Sequence, residues 1–338
     1  MTIYDIDLAA SAGVWTPALT GRTRPARDLL RAFNQQVKGA AGTVVHFGLR
    51  KGAGALHTVF GSQFGNEVDE LAALLDQDPA DIILANCAYD LSHAAGCSTF
   101  VSDTPEGPLH ARNLDWTFPG GLLRRHTSVM RVHNAPGGFY ATVGWPGLFG
   151  VLTGVAPGRF AVTVNHVTHS AESTKLGVAA RAAKGHWPVS WAVRNVFDTA
   201  RNFDAAVRQL RSVALIAPVL FTVSGIHDGE GVVIERSVDG SSIRRFDGPA
   251  VCVSNHYTAP RMRGFNVDLD ETDSRERLEH LDVGVASVEM SPARALRLLT
   301  HRQLLKDDTQ HQVVMWAAEG YLAVRVPGQR VERIQLTM

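Results

Sequence analysis

The amino-acid sequence predicts an α+β fold in which β-sheets are covered by helices. Short runs rich in β-branched and aromatic residues dominate the centre of the chain, and glycine- and proline-rich turns separate them. Segments with helical spacing of apolar residues stand between and after these runs. Strands followed by a helix pair, more strands and a further helix are typical of sheets covered by helices, hence of an α+β sandwich.

The chain begins with a leader that ends just before Cys97. Residues 67–77 have helical spacing of apolar groups, and the Asp78-Pro79 pair is expected to stop that helix. An apolar run at residues 82–85 then leads to Cys87. We expect this leader to contribute helices and a strand to a fold that it shares with the rest of the chain.

From Cys97 onward the pattern is mostly strand-like. Runs that predict strands cover residues 127–132, 139–143, 160–165, 219–223, 232–235 and 250–253. Helices are predicted at residues 188–197, 202–210 and 291–305, the last with Pro292 suited to its first turn. No internal repeat or low-complexity tract interrupts this order.

Length, charge and hydropathy limit the class of protein. The 338 residues allow one large domain or two. Lysine plus arginine and aspartate plus glutamate both number 33, so no overall field favours nucleic acid or an anionic membrane surface, and we expect a small-molecule partner. The N-terminus is acidic where an export signal is basic, and no run reaches the roughly 20 apolar residues of a transmembrane helix. These features predict a soluble, cytoplasmic protein, unless a signal has been trimmed.

The cysteines and histidines do not indicate a metal site. Cys87, Cys97 and Cys252 fit neither a disulfide framework nor a four-ligand zinc site in number or spacing, so we expect reduced thiols. His166 and His169 have no carboxylate or third ligand at a convincing spacing. We therefore expect neither a metal nor an organic cofactor.

The most informative segment is residues 96–116, in which Cys97 is followed by Arg112 and Asp115. The thiolate is the reactive form of cysteine, so a nucleophilic cysteine needs neighbours that control its pKa. Arg112 supplies positive charge, and Asp115 can hold a protonated amine. If the bond between Gly96 and Cys97 were cut, the freed α-amino group, with a reference pKa of roughly 7.7–8.0, would be its own base. This pattern is that of an N-terminal nucleophile (Ntn) hydrolase.

Five motifs, in order along the chain, resemble the acid ceramidase and N-acylethanolamine-hydrolysing acid amidase family. They are Gly-Cys-Ser-Thr at 96–99, Ala-Arg-Asn-Leu-Asp-Trp at 111–116, Phe-Gly-Val-Leu-Thr-Gly at 149–154, Pro-Val-Ser-Trp at 188–191 and Ser-Asn-His-Tyr at 254–257. The resemblance covers roughly residues 80–330. That family is a branch of the choloylglycine-hydrolase group, so the resemblance implies the four-layer αββα Ntn fold.

The resemblance also implies roles at matching positions. Cys97 matches the nucleophile, Arg112 and Asp115 match its immediate partners, and Asn255 matches an amide that stabilises the oxyanion. Arg275 is chosen as the match for a second arginine in an acid-rich stretch. The chain departs from the family pattern at His166 and Val167, where many relatives carry an acidic residue and an arginine. The departure puts contacts to the leader and control by pH in question.

Each of these residues has a non-catalytic alternative. A lone Cys97 would more often be a small buried hydrophobe, and Arg112 with Asp115 would be a surface ion pair worth about 0–1 kcal/mol. Asn255 follows an apolar strand, where asparagine commonly serves a turn. Arg275 lies in a mixed-charge stretch that is typical of a solvated face.

The leading hypothesis is an enzyme that cuts itself before it cuts its substrate. Attack of Cys97 on the Gly96 carbonyl would give an α chain of residues 1–96 and a β chain of residues 97–338, which we expect to stay associated. Glycine is expected at position 96 because it tolerates strained backbone geometry. The mature protein would hydrolyse N-acyl amides, such as N-acylethanolamines or ceramides, through a thioester. Candidates to line an acyl groove are Trp116, Phe118, Trp145, Leu148 and Phe149.

Other functions remain open at this stage. The same scaffold could transfer the acyl group to an amine instead of water. It could also act on N-acyl amino acids, acyl-homoserine lactones, bile-acid conjugates or penicillin V. A third alternative is a lipid- or partner-binding domain that never matures, which is supported only by the departure at His166.

Overall fold

The computed structural model describes residues 1–91, 95–167, 174–246, 248–267 and 273–337, and it has two β-sheets with helices on both outer faces. The strands are β1 (Thr2–Asp7), β2 (Ala95–Ser102), β3 (Leu109–Trp116), β4 (Ser128–His133), β5 (Tyr140–Gly144), β6 (Thr153–Ala156), β7 (Phe160–His166), β8 (Val219–Ser224), β9 (Gly231–Arg236), β10 (Ser241–Arg245), β11 (Ala250–Val253), β12 (Thr309–Trp316), β13 (Tyr321–Arg325) and β14 (Glu332–Gln335). The helices are α1 (Thr16–Leu19), α2 (Thr23–Val59), α3 (Asn66–Leu75), α4 (Pro79–Asn86), α5 (Ala88–Leu91), α6 (Leu122–His126), α7 (Lys175–Ala183), α8 (Val189–Thr199), α9 (Phe203–Ser212), α10 (Ser274–Ala286) and α11 (Pro292–Leu299).

The two sheets differ in strand order. The first runs β1-β4-β5-β6-β7-β8-β9-β10, with β1 parallel to β4 and the other neighbours antiparallel. The second runs β11-β2-β3-β12-β13-β14 and is antiparallel throughout. Because β1 pairs with β4, the leader supplies an edge strand of the first sheet as well as helices α1 to α5.

The sheets pack face to face between two helical layers. Apolar side chains of the first sheet, including Val129 and Val155, share a buried cluster with Val313 and Met315 of the second. Helices α10 and α11 cover the other face of the second sheet, where Leu299 joins a further cluster. The remaining core lies between the first sheet and the leader helices. The α+β prediction and the four-layer αββα arrangement are confirmed.

Most predicted elements occur within one or two residues of their expected positions. The long predicted helix at 291–305 is shorter and ends at Leu299. The reason lies in the neighbouring sheet, since Asn113 Nδ2 and Gln312 Nε2 donate to Leu299 O at 2.9 Å and 2.8 Å. These side chains satisfy a carbonyl that has no partner within the helix, so the chain can turn there.

The leader is more helical than expected. Its apolar run at 82–85 lies in α4, and Asp78 begins that helix because its Oδ1 accepts the Ala80 N–H at 2.8 Å. The Asp78-Pro79 pair therefore both follows α3 and starts α4. Helix α2 is 37 residues long. Neither α2 nor any other helix in the part of the chain that is described has the length and apolarity needed to cross a membrane.

Candidate active site

Antiparallel pairing of β2 with β3 brings the predicted site residues together. Cys97 lies opposite Leu114, Gly96 lies opposite Asp115, and Thr99 lies opposite Arg112. Because side chains alternate between the faces of a strand, Cys97 and Arg112 point from the second sheet towards the first. This register agrees with the predicted placement of Cys97 on one strand and of Arg112 and Asp115 on the next.

The Cys97 thiol is fully buried and touches Arg112. The guanidinium Nη2 donates to Sγ at 2.7 Å, and Sγ lies 3.7 Å from the carbonyl oxygen of Val164 in β7. Nη1 of Arg112 donates to Leu152 O at 3.0 Å and to Thr153 Oγ1 at 2.8 Å, which fixes the guanidinium. Burial raises the pKa of the thiol, and the charge of Arg112 opposes this effect. Arg112 itself has no exposed surface, so the surface ion-pair alternative is wrong.

Asn255 holds the amide of the Gly96-Cys97 bond. Its Oδ1 accepts the Cys97 N–H at 2.8 Å. The side chain is oriented from both ends, since Nδ2 donates to His166 O at 2.7 Å and the Asn255 N–H donates to Ser274 Oγ at 2.8 Å. An amide nitrogen carries two N–H donors, and His166 takes one of them. Asn255 is thus a buried contact of the Gly96-Cys97 bond and not a turn residue at the surface.

The structure brings Arg277, and not Arg275, to this site. Arg277 Nη1 donates to Cys97 O at 2.5 Å and to Ser98 Oγ at 3.1 Å, and Nη2 donates to Asn255 Oδ1 at 2.8 Å. Arg275 lies on the exposed face of the same helix. The choice of Arg275 as the second arginine is therefore corrected to Arg277.

Helical periodicity explains the correction. The buried side chains of α10 are Ser274, Arg277, Leu281 and Val285, which form one stripe at spacings of three and four residues. Position 275 falls off that stripe. The apolar members of the stripe would have selected Arg277 from the sequence alone if α10 had been predicted.

Asp115 is a buried carboxylate with one free oxygen. Thr309 Oγ1 donates to Oδ1 at 2.6 Å, whereas Oδ2 has no hydrogen-bond partner among the described residues. Burial raises the pKa of this carboxyl, and Arg277 is the main opposing influence. Because Asp115 pairs with Gly96, the free oxygen lies beside the bond that would be cut.

Gly96 allows a close approach of Asp115. Its φ in the uncut chain is not in the left-handed region. A Cβ at position 96 would lie 3.3 Å from Asp115 Cβ and 3.4 Å from Asp115 Oδ2. Any side chain would therefore crowd the carboxylate that faces this residue.

A cavity lies beside residues that contact the partners of the cysteine. It is lined by Ala85, Asn86, Tyr89, Trp116, Val143, Gly144, Trp145, Leu148, Gly150, Leu152 and Ser190. Leu152 provides the carbonyl that binds Arg112, and Trp116 follows Asp115 directly. The cavity is thus apolar, reaches the thiol's partners and takes part of its wall from the leader.

Three of the five predicted lining residues reach this cavity. Trp116, Trp145 and Leu148 line it, but Phe118 and Phe149 do not. The Phe149 ring packs 5.0 Å from Trp191. The Phe118 ring packs 4.7 Å from Phe33. Phe149 belongs to the core under the leader helices, and the half-buried Phe118 packs against that core.

The other two cysteines lie outside the group of residues around Cys97. Cys87 and Cys252 are buried, and burial raises the pKa of both thiols. His166 contributes its backbone carbonyl to Asn255. His169 lies outside the described residues. Among the residues that are described, no cluster of three or more histidine, cysteine or carboxylate groups could hold a metal ion.

Besides Arg277, Thr153 and Ser274, sequence reasoning assigned no role at the site to Thr309 and Tyr89. Thr309 binds Asp115 from β12, a strand that was not predicted. Tyr89 lies in α5, lines the cavity and donates its hydroxyl to Val164 O at 3.3 Å. Neither residue type carries a signal for such a role in sequence, because a hydroxyl on a strand or an aromatic on a short helix is most often structural.

Comparisons with known proteins support the resemblance. No family model matches the chain. It is 32% identical over 241 residues to an N-acylethanolamine-hydrolyzing acid amidase from Oryctolagus cuniculus, covering 70% of this chain and 65% of the relative. It is 27% identical over 239 residues to an acid ceramidase from Bos taurus, covering 66% and 58%. The chain thus spans less than two thirds of either relative.

A solved structure shares the fold. It is described as a Caenorhabditis elegans N-acylethanolamine-hydrolyzing acid amidase ortholog, and it superposes with a TM-score of 0.53 at 21% identity, covering 66% of this chain and 93% of that one. At this identity the likeness concerns the fold alone. It agrees with the layered architecture described above.

Proposed function

We propose that this chain, which is a homologue of the N-acylethanolamine-hydrolyzing acid amidases and acid ceramidases, is a cysteine amidase that activates itself by cutting its Gly96-Cys97 bond. The observation that carries the proposal is the environment of Cys97. The Cys97 sulfur accepts a hydrogen bond from the buried Arg112, and the Cys97 backbone N–H donates to Asn255 Oδ1. The sulfur that would attack and the nitrogen that would leave therefore belong to the same residue, and each has a buried hydrogen-bond partner.

In the first reaction, the Cys97 sulfur attacks the carbonyl carbon of Gly96. The peptide C–N bond breaks, a thioester forms, and the proton lost from sulfur goes to the departing nitrogen, which becomes the α-amine of Cys97. Water then hydrolyses the thioester to release the Gly96 carboxylate and the free thiol. Asn255 Oδ1 orients the nitrogen in this reaction, and Asp115 Oδ2 is a ready acceptor for the new ammonium group.

The products would be an α chain of residues 1–96 and a β chain of residues 97–338. Buried contacts across the cut favour continued association. Across the cut, Arg194 of α8 pairs with Glu67 of α3 at 3.0 Å. Within the leader, Trp15 Nε1 donates to the same carboxylate at 2.7 Å. A buried ion pair costs about 3–5 kcal/mol to break by removal of one partner.

In the second reaction, the α-amine of Cys97 accepts the thiol proton and the thiolate attacks a substrate amide. The tetrahedral oxyanion would be stabilised by Asn255 Nδ2 and a backbone N–H, at about 2.7–4 kcal/mol per donor. The ammonium returns its proton to the leaving amine, and water hydrolyses the thioester with the same amine as base. Arg112 stabilises the thiolate electrostatically.

The cavity lined by Trp116, Trp145 and Leu148 is the proposed acyl site. Its apolar walls suit the acyl chain of an N-acyl amide of the kind named in the relatives' descriptions, an N-acylethanolamine or a ceramide. Each additional buried methylene should add about 0.8 kcal/mol of binding. Activity should therefore rise with acyl length until the cavity is full.

The test combines intact mass with turnover. The uncut chain has a mass of 36.6 kDa, and we expect two species that separate at Gly96-Cys97. Cys97→Ala should stay uncut and show no hydrolysis of an N-acylethanolamine series, whereas Cys252→Ala is the matched control and should retain both activities. Turnover by Cys97→Ala would refute the assignment. A new amide formed from an added amine would identify an acyltransferase. Hydrolysis confined to penicillin V or bile-acid conjugates would identify an acylase that recognises a ring-bearing substrate.

A further inference from the structure

Tyr89 brings a hydroxyl from the leader to the nucleophile. Its O–H donates to Val164 O at 3.3 Å, and Cys97 Sγ approaches the same carbonyl at 3.7 Å. The tyrosine is 3% exposed, so water does not compete for its hydroxyl. Tyr89, which precedes the Gly96-Cys97 bond, and Cys97, which follows it, therefore both approach the carbonyl oxygen of Val164 in β7.

The position of this hydroxyl is fixed by ring packing. The Tyr89 ring stands edge-on to Trp116 at 5.5 Å and edge-on to His166 at 5.8 Å. Both neighbours lie on strands that carry the site, β3 and β7. Tyr89 also lines the proposed acyl cavity, so one side chain borders that cavity and contacts the carbonyl that Cys97 Sγ approaches.

We propose that Tyr89 is a catalytic residue of the proposed amidase, in which its hydroxyl donates a hydrogen bond to the Cys97 thiolate. When Cys97 ionises, the Tyr89 hydroxyl can still donate a hydrogen bond, but the sulfur of Cys97 cannot. A thiol can donate to Val164 O, but a thiolate can only accept. The neighbouring phenol then has an anionic acceptor within reach, and hydrogen bonds to charged groups are stronger than those to neutral ones.

The phenol stays a donor throughout. Burial raises the pKa of Tyr89, and the nearby Cys97 raises it further. Tyr89 therefore keeps its proton, and the thiol proton goes to the α-amine as described above. In this arrangement Arg112 Nη2 and Tyr89 O–H are two separate donors to one sulfur.

The inference rests on the proposed function and extends it in one respect. The thiolate would be stabilised by a residue of the segment that precedes the cut. The α chain of residues 1–96 would then be part of the active site, and its loss would remove a donor as well as a wall of the acyl cavity.

The test is the ionisation of Cys97 in the whole protein. Cysteine labelled with ¹³C at Cβ gives a signal that moves with thiol ionisation, and the signal lost in Cys97→Ser identifies Cys97. Tyr89→Phe should raise the midpoint of this titration by about 1–2 pH units, because a hydrogen bond to a charged group is lost. Tyr140→Phe, which removes a buried hydroxyl bound to Asp198, is the matched control and should leave the midpoint unchanged.

A second measurement does not depend on the stability of Tyr89→Phe. Replacement of all tyrosines by 3-fluorotyrosine, a stronger donor, should lower the Cys97 midpoint. An unchanged midpoint in both experiments would overturn the proposal, as would a wild-type thiol that does not ionise below the pH of unfolding. Cleavage and hydrolysis are read separately by mass and turnover, so a failure of the amidase assignment is distinguishable from a failure of this contact.

Discussion

Replacement of Arg277 tests a side chain that donates hydrogen bonds to three groups of the site. Its guanidinium donates to Cys97 O, Ser98 Oγ and Asn255 Oδ1, all in the buried interior. Arg277→Met keeps most of the aliphatic length but removes every donor. Arg275→Met, two residues away on the exposed face of the same helix, makes the same chemical change without these contacts.

The expected effect follows from the contacts. Hydrogen bonds from a charged donor contribute about 1.5–3 kcal/mol each, and removal of one partner from a buried charged network costs about 3–5 kcal/mol of stability. If one such bond orients Asn255 in the transition state of cleavage, its loss slows the reaction about 10- to 100-fold. Arg275→Met leaves the buried hydrogen bonds of Arg277 in place, so it should lower stability less than Arg277→Met does.

The assay is a refolding time course followed by intact mass, together with a thermal melt of each variant. Arg277→Met should accumulate the uncut chain and melt at a lower temperature, while Arg275→Met should cleave at the wild-type rate. Equal cleavage rates in the two variants, or a larger defect in Arg275→Met, would refute the reasoning from α10 periodicity.

Three further predictions address the glycine, a buried carboxyl and the cavity. Gly96→Val should slow self-cleavage, measured by mass, because its Cβ would lie 3.3 Å from Asp115 Cβ, whereas Gly264→Val, at an open position, should not. Burial raises the pKa of Asp90 to about 7 from 3.8, so its contribution to stability is present below pH 3.8 and is lost as the pH rises through 7. Asp90→Asn should therefore flatten the fall in Tm across that range, and an unchanged slope would contradict the assignment. Leu148→Trp should shorten the preferred acyl chain in a kcat/KM series, and an unchanged preference would exclude this cavity as the acyl site.

The hairpin formed by β2 and β3 could be predicted because its two strands are neighbours in the sequence. Cys97, Arg112 and Asp115 lie on two strands joined by a short turn, so pairing alone brings them together. Predicted strands also held where β-branched runs were bounded by glycine turns. Such runs have a high strand propensity and can be recognised without knowledge of the partner strand. Several of them, such as β7 and β8, are buried along their whole length.

The long leader helix was not predicted, although its apolar stripe is present. Leu30, Phe33 and Val37 are buried at helical spacing in α2. The C-terminal half of this helix is rich in glycine, which weakens helical propensity. Packing against α4 and α7 outweighs that propensity.

Backbone acceptors at the site could not be predicted from residue types. The carbonyls of Val164, His166 and Leu152 bind Cys97, Asn255 and Arg112, and any residue at those positions would supply the same oxygen. Their placement depends on how β6 and β7 of the first sheet face β2 of the second. Such contacts arise only when the two sheets are assembled.

The burial of Cys97 links assembly to reactivity. In the uncut chain burial raises the pKa of the thiol, and the backbone nitrogen beside it is an amide, which cannot act as a base. Cutting the Gly96-Cys97 bond would convert that nitrogen into an amine with a reference pKa of roughly 7.7–8.0. The same cut would give the free oxygen of Asp115 a cation to bind. The sulfur would thus acquire its base, and the carboxylate its partner, in one step, so the two reactions share one sulfur but require different states of one nitrogen.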